Sequence, residues 1–127
     1  TILLVEDESA VRALTSRVLR KYGYTVIEAP SGDEAVQLAR RHTGTIDLLV
    51  TDVVMPGMSG REVADRIRAS RPDTRILFTS GYTPEAILQH RVVTEGAPFL
   101  AKPFTPASLA AKVRHVLNAA EPTAPEP

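Results

Sequence analysis

Four short apolar runs along the chain each end in polar chemistry. Ile2-Leu3-Leu4-Val5 gives way to Glu6-Asp7, and Leu48-Leu49-Val50-Thr51 to Asp52. Ile76-Leu77-Phe78-Thr79 gives way to Ser80-Gly81, and Phe99-Leu100-Ala101 to Lys102-Pro103. Between the runs lie segments whose apolar residues recur at helical spacing. Val11, Leu14, Val18 and Leu19 predict a helix after Glu8-Ser9 with those four residues inward, and Gly23 ends it as a left-handed cap. Thr25 to Ala29 reads as a short strand rich in β-branched residues. Ser31-Gly32-Asp33-Glu34 and Ser59-Gly60-Arg61-Glu62 read as capping boxes that open two more helices. The first of these turns Ala35, Leu38 and Ala39 inward, the second Val63 and Ile67. Thr83-Pro84 and Thr105-Pro106 each set a cap residue before a proline, the order preferred at a helix start. The last helix buries Leu109, Val113, Val116 and Leu117.

Strands that are apolar throughout, alternating with helices, predict an α/β fold: a doubly wound, five-stranded parallel sheet covered on both faces by five helices. Right-handed crossovers leave few topologies. Ligands of such sheets sit beyond the C-terminal ends of the strands, where all the polar groups named above fall. Residues 1–118 form the expected domain. Residues 119–127, Ala-Ala-Glu-Pro-Thr-Ala-Pro-Glu-Pro, read as a proline-rich tail or linker, and both ends look like cuts from something longer.

Composition narrows the function. A chain of 127 residues with zero formal net charge supports one core and offers no bulk attraction to nucleic acid or anionic lipid. No cysteine is present, so a disulfide framework and a thiolate metal site are excluded. No apolar stretch approaches the ~20 residues of a membrane span. His42, His90 and His115 are scattered, without ligand spacing. A cytoplasmic domain that touches neither membrane nor nucleic acid is the expectation.

On one sheet edge, Glu6, Asp7, Asp52, Ser80 and Lys102 would share a small volume. Two carboxylates ~4 Å apart repel by roughly 4 kcal/mol at an effective dielectric near 20, so clustering them calls for a cation or a proton. Mg²⁺ takes oxygen ligands and often rests on one or two carboxylates plus a phosphate. A carboxylate nucleophile forms an acyl phosphate. Taken singly, each residue also has an ordinary explanation. Glu6 and Asp7 could cap the following helix, Asp52 could be a loop carboxylate, Ser80-Gly81 a turn, Phe99 plain core and Lys102 a surface lysine. Lysine is scarce here, with three against twelve arginines.

Leu4-Val5-Glu6-Asp7-Glu8, Thr51-Asp52-Val53-Val54-Met55-Pro56-Gly57-Met58-Ser59-Gly60, Ser80-Gly81 and Lys102-Pro103-Phe104 together resemble the receiver domain of two-component response regulators, in order and in spacing. The likeness runs from Thr1 to about Leu117. It implies the strand order 2-1-3-4-5 and a phosphorelay role, in which Asp52 accepts a phosphoryl group from the phosphohistidine of a histidine kinase or histidine phosphotransfer domain. It implies Mg²⁺ held by Glu6, Asp7, Asp52 and the backbone carbonyl of Val54. Ser80 and Lys102 would contact the phosphoryl group, and Phe99 would be the switch aromatic. The domain would catalyse its own phosphorylation and dephosphorylation without turning over an external substrate. A surface made by the fourth helix, the last strand and the last helix, including Ile87, Leu88, Val92 and Val93, would respond, and a homodimer through that face is left open. Phe78-Thr79-Ser80-Gly81-Tyr82-Thr83 and Lys102-Pro103-Phe104-Thr105 look like receivers of hybrid sensor histidine kinases. Val54 and Tyr82 would screen the site from water and slow dephosphorylation, and strand alternation would turn Thr79 away from it.

Three rivals stand beside this reading. One is a receiver-like module that is never phosphorylated and serves as an interaction surface. Another is a small Mg²⁺-dependent aspartyl phosphohydrolase, which would need a second aspartate where Val54 stands. The third is a flavin-binding domain, which would need a hydroxyl- and glycine-rich loop after the first strand.

Overall fold

The computed structural model describes residues 1–81 and 98–119. Five strands form one parallel sheet: β1 (Ile2–Val5), β2 (Val26–Ala29), β3 (Leu48–Asp52), β4 (Arg75–Ser80) and β5 (Phe99–Ala101), in the order β2-β1-β3-β4-β5. The described helices are α1 (Ser9–Lys21), α2 (Gly32–Arg41), α3 (Gly60–Ser70) and α4 (Pro106–Leu117). The helix expected from Thr83-Pro84, with Tyr82, Ile87, Leu88, Val92 and Val93, lies outside the described residues, as does the tail from residue 120 onward.

Strand side chains alternate across the sheet with period two. Leu3, Val5, Leu49, Ile76 and Phe78 enter one core with Ala35 and Ala39 of α2 and Val63, Ala64 and Ile67 of α3. Ile2, Leu4, Leu48, Val50 and Leu77 enter a second core with Val18 and Leu19 of α1 and Leu109, Val113 and Val116 of α4. Both faces are therefore covered, which is why the central strands are apolar without a break. The α/β/α sandwich follows from that demand.

The helix ends are set locally. Ser31 and Ser59 each accept a backbone N–H, from Glu34 at 3.3 Å and Glu62 at 3.2 Å. The carboxylate of Glu62 is engaged by Arg66 at 3.1 Å. The reciprocal capping box forms instead at Thr105 and Ser108, whose side chains and backbone N–H groups exchange two bonds of 3.0 Å. Gly23, at φ 98°, ends α1 in the left-handed region as expected.

One inward face differs from the expectation. Leu14 is 59% exposed, and the buried residues of α1 are Thr15, Ser16, Val18 and Leu19. Small hydroxyl residues take the inner stripe because each has an acceptor within reach. Thr15 Oγ1 donates to the Val11 carbonyl at 2.7 Å, and Ser16 Oγ donates to Glu28 Oε2 on β2 at 3.0 Å. Buried hydroxyls are tolerated when bonded in this way.

Candidate phosphoryl and metal site

The alternation that fills the cores also aims the site. One residue past β1, Glu6 has the parity of Ile2 and Leu4. At the end of β3, Asp52 has the parity of Leu48 and Val50. Both carboxylates therefore rise on the α1 side of the sheet. Lys102, one residue past β5, follows Leu100, which faces the opposite core from Phe99.

The side chains converge. Lys102 Nζ donates to Glu6 Oε1 at 2.6 Å and to Asp52 Oδ2 at 3.1 Å. Carboxylate oxygens of Glu6, Asp7 and Asp52 lie within 4.8 Å of one another. Glu6 and Asp52 are buried, at 4% and 8% exposure, whereas Asp7 is exposed and forms the open side. Ser80 is fully buried at the end of β4, and its carbonyl accepts the Lys102 N–H at 2.8 Å. That bond ties the start of the lysine loop to the strand next to the acceptor. The Lys102–Pro103 peptide is cis.

Charge is not balanced here. Burial pushes the Glu6 carboxyl above the ordinary carboxylate range, and the Lys102 bond and charge offset only part of that. Burial does the same to Asp52, with the Asp7 charge adding to it and Lys102 again opposing. Burial alone would pull Lys102 down, but its bonds to Glu6 and Asp52 and their charges hold it above its usual value. Three carboxylates against one ammonium leave two negative charges. A hard divalent cation fits that oxygen donor set and that deficit.

Backbone packing brings the acceptor strand and α3 together. A side chain at Gly60 would set its Cβ 2.1 Å from the Asp52 carbonyl oxygen. The Gly60 N–H donates to the Val53 carbonyl at 2.9 Å. Only glycine permits this approach. The sequence placed Gly60 in a helix-opening capping box but gave no sign of its contact with the acceptor backbone.

The remaining candidates sit around this centre. Val54 follows β3 half-buried, and its side chain, like that of Met58, packs against the α2–α3 core. Phe99 opens β5, half-buried against the same core, and pairs in register with Phe78. Thr79 departs from expectation. It is the register partner of Asp52, so alternation places it on the acceptor's side of the sheet. An apolar cleft of about 420 Å³ runs beside Lys102, lined by Val11, Leu14, Thr15, Gly81, Pro103 and Phe104.

This sheet order and this edge define a class. The model of the response regulator receiver domain matches residues 2–114, and the chain belongs to that family. Among relatives, it is 42% identical over 118 residues to the sensor kinase CckA of Brucella abortus (strain 2308), covering 93% of this chain and 12% of CckA. It is 34% identical to the response regulator receiver protein CpdR of the same organism, covering 94% of this chain and 98% of CpdR. The solved receiver domain of the hybrid histidine kinase CckA matches with a TM-score of 0.78 at 40% identity, covering 92% of this chain and 98% of that one. The chain spans between 12% and 47% of the length of three of the curated relatives it matches.

Proposed function

We propose that this receiver domain accepts a phosphoryl group on Asp52, in the presence of Mg²⁺, from a phosphohistidine of a kinase or phosphotransfer partner in the cytoplasm. The observation that carries the reading is the convergence of three carboxylates and Lys102 on one strand edge. An oxygen of Asp52 attacks phosphorus, the P–N bond breaks, and the imidazole leaves with the electron pair and takes a proton from solvent. The nucleophile must be ionised, and its raised pKa, present even beside Lys102, makes that form costly until a further cation is near.

Glu6, Asp7 and Asp52, with the Val54 carbonyl, would hold Mg²⁺, which would neutralise charge on the transferring group. Lys102 leaves its bond to Glu6 and takes a phosphoryl oxygen, and Ser80 takes another. Exposed Leu14 and the cleft beside Lys102 give a partner apolar surface next to the acceptor. The new charge on Asp52 biases a two-state equilibrium in which Ser80 and Phe99 move together.

The phosphohydrolase rival lacks its second carboxylate, because Val54 packs against the core instead. The flavin rival meets three acidic residues, Glu6, Asp7 and Glu8, where it needs a phosphate cradle. The test is labelling by phosphoramidate with Mg²⁺, read by intact mass. Wild type should gain one phosphoryl group and Asp52→Asn none. Equal labelling of the variant would refute the assignment.

A further inference from the structure

Glu6 is held at all four of its polar groups, and one of the holders is a charged side chain that the phosphoryl chemistry does not use. Its N–H donates to Ala29 of β2 at 3.1 Å, and its two carboxylate oxygens accept from Lys102 and from the Glu8 N–H at 3.2 Å. Its carbonyl accepts Arg12 Nη1 at 2.7 Å. Arg12 sits one turn into α1, with its own N–H bonded to the Glu8 carbonyl at 2.9 Å, so its guanidinium reaches back over the loop that carries Glu6 and Asp7. The guanidinium is anchored on its far side. Arg12 Nε lies 3.8 Å from Glu28 Oε1 on β2, and Glu28 Oε2 is held by Ser16 at 3.0 Å and paired with Arg20 at 3.6 Å.

We infer that Arg12 is a positioning residue for the acidic pair: by pinning the Glu6 carbonyl it fixes the backbone from which Glu6 and Asp7 reach toward Asp52. The physical reason is leverage. Glu6 lies one residue past the end of β1, held to β2 through its N–H on Ala29, while its carbonyl is held by the Arg12 side chain. A planar, permanently charged donor fixed at both ends limits rotation of that carbonyl more than water would. Groups that orient metal ligands typically change metal affinity about 10- to 100-fold when removed. Arg20 supplies an internal control, since it bonds Ser16, Glu28 and the Val26 carbonyl but not the Glu6 backbone.

The inference rests on the Mg²⁺ reading above, and the test separates the two. Mg²⁺ affinity is measured by calorimetry on wild type, Arg12→Ala, Arg12→Lys and Arg20→Ala, with thermal midpoints and the amide NMR shift of Asp7 in Mg²⁺-free protein. Arg12→Ala should bind Mg²⁺ about 10-fold more weakly and shift the Asp7 amide. Arg12→Lys, which keeps one charged donor, should recover much of the affinity. Arg20→Ala should lose thermal stability while keeping wild-type affinity. Should Arg12→Ala fail to fold, Arg12→Lys and Glu28→Gln carry the comparison, each expected between wild type and a full loss. Wild-type affinity in every Arg12 and Glu28 variant, or an equal loss in Arg20→Ala, overturns the positioning role alone. A wild-type chain that binds no Mg²⁺ overturns both readings.

Discussion

The two edges of the sheet treat charge in opposite ways. At the N-terminal edge of the strands, Arg71 is surrounded by neutral acceptors. Its guanidinium donates to the carbonyls of Ala39 at 3.0 Å, His42 at 2.6 Å and Gly44 at 2.8 Å, closing the end of α2. Thr74 is buried there with its hydroxyl bonded to the Ile46 carbonyl at 2.8 Å. At the C-terminal edge, three carboxylates cluster, one ammonium pairs with two of them, and burial raises those two above their ordinary range. The Arg71 guanidinium and the Thr74 hydroxyl at the first edge are satisfied by carbonyls of the chain, which is what stability asks. The carboxylates at the second are left short of positive charge, which is what a site for an incoming cation and phosphoryl group asks. The proposed function falls where the fold is electrostatically incomplete.

Substitutions on the two edges should therefore separate stability from chemistry. Arg71→Ala removes three charged bonds and should cost about 2 kcal/mol in urea unfolding, because the freed carbonyls regain water only in part. Its rate of labelling by phosphoramidate should stay that of wild type. A slowed rate at full folding would join the two edges and break the contrast.

Asp7→Asn tests the opposite edge. Asp7 is exposed, so relief of its repulsion with Asp52 should stabilise the Mg²⁺-free domain by only about 0.5 kcal/mol, while weakening Mg²⁺ binding. Thermal midpoints with and without Mg²⁺ read both effects. A variant less stable than wild type without Mg²⁺ would show that the acidic group is not strained.

The smallest effect is in pH dependence. Burial holds the Glu6 carboxyl above its ordinary value in the folded Mg²⁺-free chain. The folded chain therefore keeps a proton that the unfolded chain has already released. That stabilisation is complete below the unfolded pKa and is lost as pH rises through the folded one. The urea midpoint of wild type relative to Glu6→Gln should fall across this acidic window and then level. A relative midpoint that climbs over the window would reverse the sign.

Much of this arrangement is legible in the chain because it is built from short-range rules. Apolar runs bounded by polar residues marked β1, β3, β4 and β5, and the residues after three of them, Glu6, Asp52 and Lys102, converge. The proline and cap pair at Thr105-Pro106 placed α4. What was not legible depends on distant partners. Leu14 fits a helical period with Val11 and Val18, but the sheet offers acceptors that let Thr15 and Ser16 take the inner stripe. Nothing near Arg71 in the sequence announces its partners, which are carbonyls 27 to 32 residues away. Nothing in the sequence singles out Arg12 before β2 supplies Glu28. The Lys102 ammonium also reaches Glu6 more closely than Asp52, a preference that the spacing of the runs does not signal.

The most direct measurement is a crystal structure of the domain with Mg²⁺ and beryllofluoride. It should show one Mg²⁺ among Glu6, Asp7 and Asp52, beryllofluoride on Asp52, and Lys102 Nζ turned from Glu6 to a fluorine. Beryllofluoride absent from Asp52, with the ion outside those three carboxylates and Lys102 still on Glu6, would contradict the account.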